Sequence, residues 1–209
     1  MNVLETIEQI AIKDPERIAV RTGEECLSYG RLWKLSGQAA SWIHAHEGKE
    51  GKIPLAVYGH KSPWMLVAFL GCVRAGHGYC PLDVSLPVSR IHDILAHLPE
   101  SVILAAEPFP GDESLKEAAG RVMQVRELCG AETLQREVLD KEHSCGSGLF
   151  EKADPSWQVK GEDLFYMIFT SGSTGKPKGV QITADCLSYF LDWSVTLGGE
   201  GCIREGMVF

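Results

Sequence analysis

Apolar positions in this chain recur with two periods that take turns along its length. In residues 3–12 they fall at Leu4, Ile7, Ile10 and Ala11, close to helical spacing. Asp14-Pro15 follows, and a residue before proline is driven out of the helical region, so the helix should end there. Residues 18–21 and 26–28 read as short strands around Gly23-Glu24-Glu25, a hairpin-like turn. Residues 30–45 return to helical spacing, with Leu32, Leu35, Ala39, Trp42 and Ile43 on one stripe. Residues 53–58 form a compact apolar strand closed by Gly59. Pro63 opens a helix whose Met65, Val67, Ala68, Leu70, Cys72 and Val73 mark it as buried, and Ala75-Gly76 stops it. A strand at 78–82, a helix at 87–98 opened by Pro87 and a strand at 101–105 come next. The pattern then weakens through 118–120 and 122–125, and residues 140–161 read as a loop rich in Gly, Pro and charge. Residues 164–169 are a strongly apolar strand, 180–182 a second, and 185–196 a helix bearing Leu187, Phe190, Leu191 and Val195.

Strand, helix, strand, helix, strand through residues 53–105 predicts an α/β fold with a mostly parallel sheet and flanking helices. Sheets of that kind place ligand sites at the carboxyl ends of their strands. No internal repeat is present.

Composition narrows the function without naming it. The 209 residues carry 28 acidic and 20 basic side chains, a net charge of -8. Residues 107–163 hold 13 acids and 7 bases, so most of the excess lies in one solvated stretch. No cluster of Lys and Arg is available for a phosphate backbone, so no nucleic-acid partner is expected. The longest apolar runs, such as residues 65–70, are far too short for a bilayer, and without a basic segment followed by an apolar one at the N-terminus no signal peptide is expected. No direct membrane insertion is expected. The seven Cys are scattered without a C-x-x-C pair, which predicts reduced thiols in a cytoplasmic protein. His143-Ser144-Cys145 is a single weak pair and receives no metal or catalytic role. No metal ligand set is expected.

The chemistry concentrates in Thr170-Ser171-Gly172-Ser173-Thr174-Gly175-Lys176-Pro177-Lys178-Gly179. Glycines permit positive φ and let backbone N–H groups approach an anion closely. Hydroxyls donate to phosphate oxygens, and lysines supply positive charge. Hydrogen bonds to a charged acceptor contribute roughly 1.5–3 kcal/mol each. This is the inventory of a polyphosphate cradle. It is also the inventory of a flexible surface hairpin, and the residues alone leave both open. With few apolar anchors, residues 171–178 are expected to form a mobile loop between two strands. The segment is not a Walker A loop: Thr170 stands where that pattern needs Gly, and Pro177 where it needs Ser or Thr. Nor is Gly76-His77-Gly78 a Rossmann fingerprint, since Pro81 replaces the third Gly and a strand follows.

Beyond this inventory, Phe165-Tyr166 followed by residues 170–179 resembles the signature phosphate loop of the adenylate-forming enzymes. Leu27-Ser28-Tyr29 with Leu32 is similar to the early motif of that family, and the run from Arg74 to Asp83 is similar to its K-A-G-x-A-Y-x-P-L/I-D motif. Val57 to His60, Phe69 to His77, Val180 to Thr183 and Asp192-Trp193 look like the D-alanine-activating subgroup of carrier-protein ligases. Ala184, where many adenylation domains carry His, fits the same subgroup.

The resemblance implies the N-terminal portion of the large domain of such an enzyme, with an α/β subdomain over 1–160. Residues 161–209 would be the phosphate-loop hairpin, a helix and the start of the next subdomain. It implies ATP and Mg²⁺ as cofactors, with D-alanine and a phosphopantetheinylated D-alanyl carrier protein as partners, for D-alanylation of teichoic acid. Another amino-acid adenylation domain and a non-catalytic module that retains the fold are the alternatives. Thr170 and Ser171 become the main nucleotide contacts, completed by Gly172, Ser173, Thr174, Gly175 and Lys178. Lys178 as a solvated strand-edge lysine is the competing role. Tyr29 and Asp83 are expected to pack and cap, and His60 and His77 to serve turns. The family's acid-pocket aspartate, adenine and ribose contacts, hinge and catalytic lysine fall beyond residue 209. No catalytic residue is therefore expected here, and the chain by itself is expected to be inactive.

Overall fold

A computed structural model of the chain describes residues 2–23, 25–47, 53–100, 102–112, 115, 117–118, 120–129, 153–171 and 177–197. The pair His143 and Cys145 lies outside these residues, as does Cys202.

The chain opens on helix α1 (Val3–Lys13), capped by Asn2, whose side-chain oxygen accepts from the N–H groups of Leu4 and Glu5. Strands β1 (Ile18–Thr22) and β2 (Glu25–Ser28) pair antiparallel as a separate two-stranded sheet. Helix α2 (Tyr29–Glu47) starts directly behind β2, where the Ser28 hydroxyl accepts from the Arg31 N–H.

Strand β3 (Leu55–Gly59), helix α3 (Pro63–Ala75), strand β4 (Tyr79–Asp83), helix α4 (Val88–Leu95) and strand β5 (Val102–Ala105) follow in the predicted alternation. Then come β6 (Arg121–Gln124), the single turn α5 (Val125–Leu128), β7 (Leu164–Ser171), β8 (Pro177–Thr183) and α6 (Ala184–Ser194). Among the described residues the main sheet has six strands in the order β6-β5-β3-β4-β7-β8. Its pairs are parallel from β6 to β7, and β8 returns antiparallel to β7.

The central strands β3 and β5 are buried along their whole length because helices cover both faces. Leu55 and Val57 of β3 pack with α2 and α3, while Ala56 and Tyr58 pack with Ile91, Ile94 and Leu95 of α4. β3 steps to β4 through α3, and β4 steps back past β3 to β5 through α4. Right-handed crossovers that step in opposite directions must put their helices on opposite faces, as found.

Three expected boundaries move. Pro87 is not the first helical residue of α4: its ψ of 145° makes it the cap, and beyond Leu95 the chain tightens into i+3 bonds from His97 and Leu98. The Gly-rich segment is shorter than 171–178, since Ser171 pairs with Pro177 and Thr170 with Lys178 inside the β7–β8 ladder. Backbone pairing needs no apolar side chains, so hydropathy did not show it. Gly179 fits the ladder because a Cβ there would stand 2.8 Å from Met167 Sδ. The described part of the expected loop at 140–161 is packed: Pro155–Trp157 form a 3-10 turn capped by Asp154, and the Val159 N–H donates to Val73 O.

Candidate functional site

The carboxyl edge of the parallel sheet holds two neighbouring features. The first is a crevice between β3 and β4. Their connections leave for opposite faces, which opens the sheet between their ends. His60, just past β3, and Asp83, the last residue of β4, close across it: His60 Nδ1 donates to Asp83 Oδ2 at 2.7 Å. Ser85 donates to Asp83 Oδ1 twice, from its hydroxyl at 2.6 Å and its backbone N–H at 2.9 Å. The Ser85 hydroxyl first, then His60 and the Ser85 N–H, hold the Asp83 carboxyl down at about 2. Asp83 is therefore ionised at neutral pH and caps its own turn.

Below this pair lies a cavity of about 270 Å³ bordered by Lys61, Pro81, Asp83, Arg90, Ile168 and Phe169. Among the described residues Lys61 alone combines a side chain with positive φ, at 28°. The cavity has apolar lining from Pro81, Ile168 and Phe169, with Lys61, Arg90 and the Asp83 carboxylate at its border. Sequence reading missed Lys61 and Arg90. Strand order rather than sequence order makes β3 and β4 the opening, and no spacing marks it.

The second feature is the β7–β8 hairpin, whose Phe169 and Ile168 form one wall of that cavity. Thr170 and Lys178 face each other across the ladder, both exposed, with the Thr170 hydroxyl donating to Lys178 O in a long contact of 3.5 Å. The backbone of Ser171 continues β7 to the hairpin end. Gly172, Ser173, Thr174 and Gly175 lie outside the described residues, together with Lys176. The structure thus brings Thr170, Ser171 and Lys178 to one end of the hairpin, on the edge where a parallel sheet binds ligands.

The remaining candidates take structural positions. Tyr29 joins Val3, Leu32, Phe69, Tyr79 and Phe165 around an apolar groove. His77 is buried, with Nδ1 3.2 Å from Ile53 O. The described cysteines Cys26, Cys72, Cys80, Cys129 and Cys186 are all free. Burial pushes the Cys80 and Cys129 thiols up to about 12, and Cys72 further, so these three are packing residues rather than nucleophiles.

A family profile described as AMP-binding enzyme matches residues 7–201, nearly the whole chain. The chain belongs to the AMP-binding enzyme family.

Within the AMP-binding family, curated relatives include the D-alanine–D-alanyl carrier protein ligase of Bacillus licheniformis, 37% identical over 212 residues that cover 100% of this chain. The ligase of the same name from Bacillus velezensis is 39% identical over 193 residues, 92% of the chain. The chain spans 37% and 35% of the length of these two relatives. Among solved structures, the o-succinylbenzoate CoA synthetase of Bacillus subtilis superposes with a TM-score of 0.69 at 24% identity, over 95% of this chain and 36% of that one. The N-terminal subdomain of NpsA from Klebsiella oxytoca gives 0.62 at 21% identity, over 88% of this chain and 42% of that one. These two likenesses speak for the fold.

Among the described residues no helix is long and apolar enough to cross a membrane.

Proposed function

We propose that this chain is the N-terminal portion of an ATP-dependent D-alanine ligase serving a D-alanyl carrier protein. The carrying observation is identity of 35–39% to ligases of that name, spread over 92–100% of the chain. The D-alanine carboxylate oxygen attacks the α-phosphorus of ATP, and the bond to the β-phosphate oxygen breaks, releasing pyrophosphate. The phosphopantetheine thiol of the carrier then attacks the acyl carbon, and AMP leaves as the thioester forms. Such a thioester is the donor for D-alanylation of teichoic acid, and both steps belong in the cytoplasm.

In this reading residues 1–160 supply the α/β subdomain, and 161–209 the hairpin, the following helix and the start of the next subdomain. Thr170, Ser171, Gly172, Ser173, Thr174 and Gly175 offer hydroxyl and backbone donors to the β- and γ-phosphates, and Lys178 offers charge. The exposed positions of Thr170 and Lys178, paired at one end of the β7–β8 ladder, support this. Catalysis is then mainly positioning and charge stabilisation. Mg²⁺ would neutralise phosphate charge and arrive on the nucleotide. No group of three or more His, Cys, Asp or Glu among the described residues could hold it alone.

The test uses the complete reading frame, a phosphopantetheinylated carrier protein and labelled D-alanine. Label should reach the carrier as a thioester only with ATP present. Lys178→Ala should slow loading about 10- to 100-fold, the loss of one charge-assisted contact of roughly 1.5–3 kcal/mol. Label on free CoA but never on a carrier would assign the chain to a CoA ligase of the same fold.

A further inference from the structure

Helix α6 is apolar on two sides. Ala184 and Leu187 pack against the core, and Leu191 is half-buried on the same stripe. Cys186, Tyr189, Phe190 and Trp193 make a second stripe, at i, i+3, i+4 and i+7, and all four are exposed. Tyr189 is 74% exposed, Phe190 55% and Trp193 56%. Among the described residues no other Phe, Tyr or Trp is exposed. The Phe190 and Trp193 rings lie 5.8 Å apart between centroids, so the stripe is one surface rather than scattered side chains. The helix beneath it is properly started: the Thr183 hydroxyl accepts from the Cys186 N–H.

Single exposed apolar residues need no account, but a contiguous aromatic stripe marks a contact surface. A helix apolar on both sides is a buried helix. Two observations decide what covers this one. The first is charge. α6 carries Asp185 and Asp192 and no Lys or Arg, which does not suit an anionic lipid surface, since such surfaces recruit helices with basic flanks. The second is chain length. The match to the Bacillus licheniformis ligase takes in 100% of this chain but 37% of that protein, so most of the relative lies outside it. A segment tethered behind Ser194 meets α6 at an effective concentration on the order of mM, which a separate partner or a second copy does not reach.

We infer that the Cys186–Trp193 stripe of α6 is an internal interface, covered in the complete protein by the polypeptide that continues past Phe209. This rests on reading the chain as an N-terminal portion. The covering segment is apolar where it meets Phe190 and Trp193. It offers hydrogen-bond partners to the Tyr189 hydroxyl and the Trp193 indole, because both groups need one when buried. β8 ends at Thr183, the residue that caps α6, so this contact also fixes the β7–β8 hairpin relative to the rest of the enzyme.

The test alkylates the native protein from the complete reading frame with N-ethylmaleimide and reads each cysteine by peptide mass spectrometry. Cys186 lies on the stripe, and Cys26, exposed on β2, is the internal reference. In the 209-residue chain the two should react within about 3-fold of each other. In the complete protein Cys186 should react at least about 100-fold more slowly than Cys26, since a covered thiol reacts only when the interface opens. Phe190→Ser and Trp193→Ser should each raise Cys186 reactivity at least about 10-fold in the complete protein and leave it unchanged in the 209-residue chain. Cys186 within about 3-fold of Cys26 in the complete protein would overturn the interface. So would protection that disappears on dilution, which would assign the stripe to a second copy, or a reading frame that stops at Phe209. The readout involves no substrate. A protected Cys186 in a protein that activates another acid would keep the interface and reject D-alanine, and an open Cys186 in one that activates D-alanine would do the reverse.

Discussion

Asp83 shows how a residue can serve a turn and a crevice at once. Its carboxyl is held at about 2, against an ordinary 3.8, chiefly by the Ser85 hydroxyl and then by His60. A carboxyl depressed in the folded state stabilises it fully above the unfolded value. That stabilisation is lost as pH falls through the folded value. Asp83 should therefore contribute at pH 4 and above and cease to contribute near pH 2. Both His60 and Asp83 side chains are nearly half exposed, so solvent screening keeps the effect small. Ser85→Ala removes the leading cause, and the Asp83 titration followed by carboxyl ¹³C NMR should move up towards 3.8. A midpoint that stays near 2 would remove Ser85 from the account. Capping by Asp83 was legible, because Asp two residues before Ser at a strand end is a turn signal. Its bond to His60 was not, since 23 positions separate them in sequence and only the β3–β4 register brings them together.

At the scale of elements, α3 shows how much local sequence decides. Ser62 accepts from the Trp64 N–H, Pro63 takes the first helical position, and Gly76 ends the helix at φ 95°. A side chain at that φ costs about 1–2 kcal/mol, and here a Cβ would also stand 2.6 Å from Trp157 O. Gly76→Ala should cost about 2–4 kcal/mol, read as a lower denaturant midpoint with an unchanged slope. A loss under about 0.5 kcal/mol would mean that the 3-10 turn at Pro155–Trp157 does not pack against the helix end as described. Both ends of α3 were readable because proline and glycine act on their own backbone. The elements that moved were set by partners instead. The hairpin gained length from the cross-strand pairs of Thr170 and Ser171, and α4 began one residue late because Pro87 is extended.

For the whole molecule, the α/β class and the parallel direction of β3, β4 and β5 were legible from alternation alone. The placement of β6 beside β5, and the opening between β3 and β4, depend on tertiary order and were not. The hairpin was legible as a phosphate-binding candidate through its residue types taken together with the motif resemblance, because hydroxyls, glycines and lysines after an apolar strand also suit a plain surface hairpin. A hairpin end alone makes a weak nucleotide site: its contacts replace hydration, and binding costs about 4–15 kcal/mol in lost ligand freedom. The 209-residue chain should bind Mg-ATP with a Kd of about 1 mM or weaker in calorimetry, no better than roughly -4 kcal/mol. A low-micromolar value would mean that the described elements already complete the site. The central claim is activation of D-alanine, and ATP–pyrophosphate exchange by the protein expressed from the complete reading frame tests it most directly. Exchange should require D-alanine and exceed that with L-alanine at least about 10-fold, a difference of about 1.4 kcal/mol in transition-state binding. Equal exchange with L-alanine or with a bulky amino acid, or none with D-alanine, would contradict it.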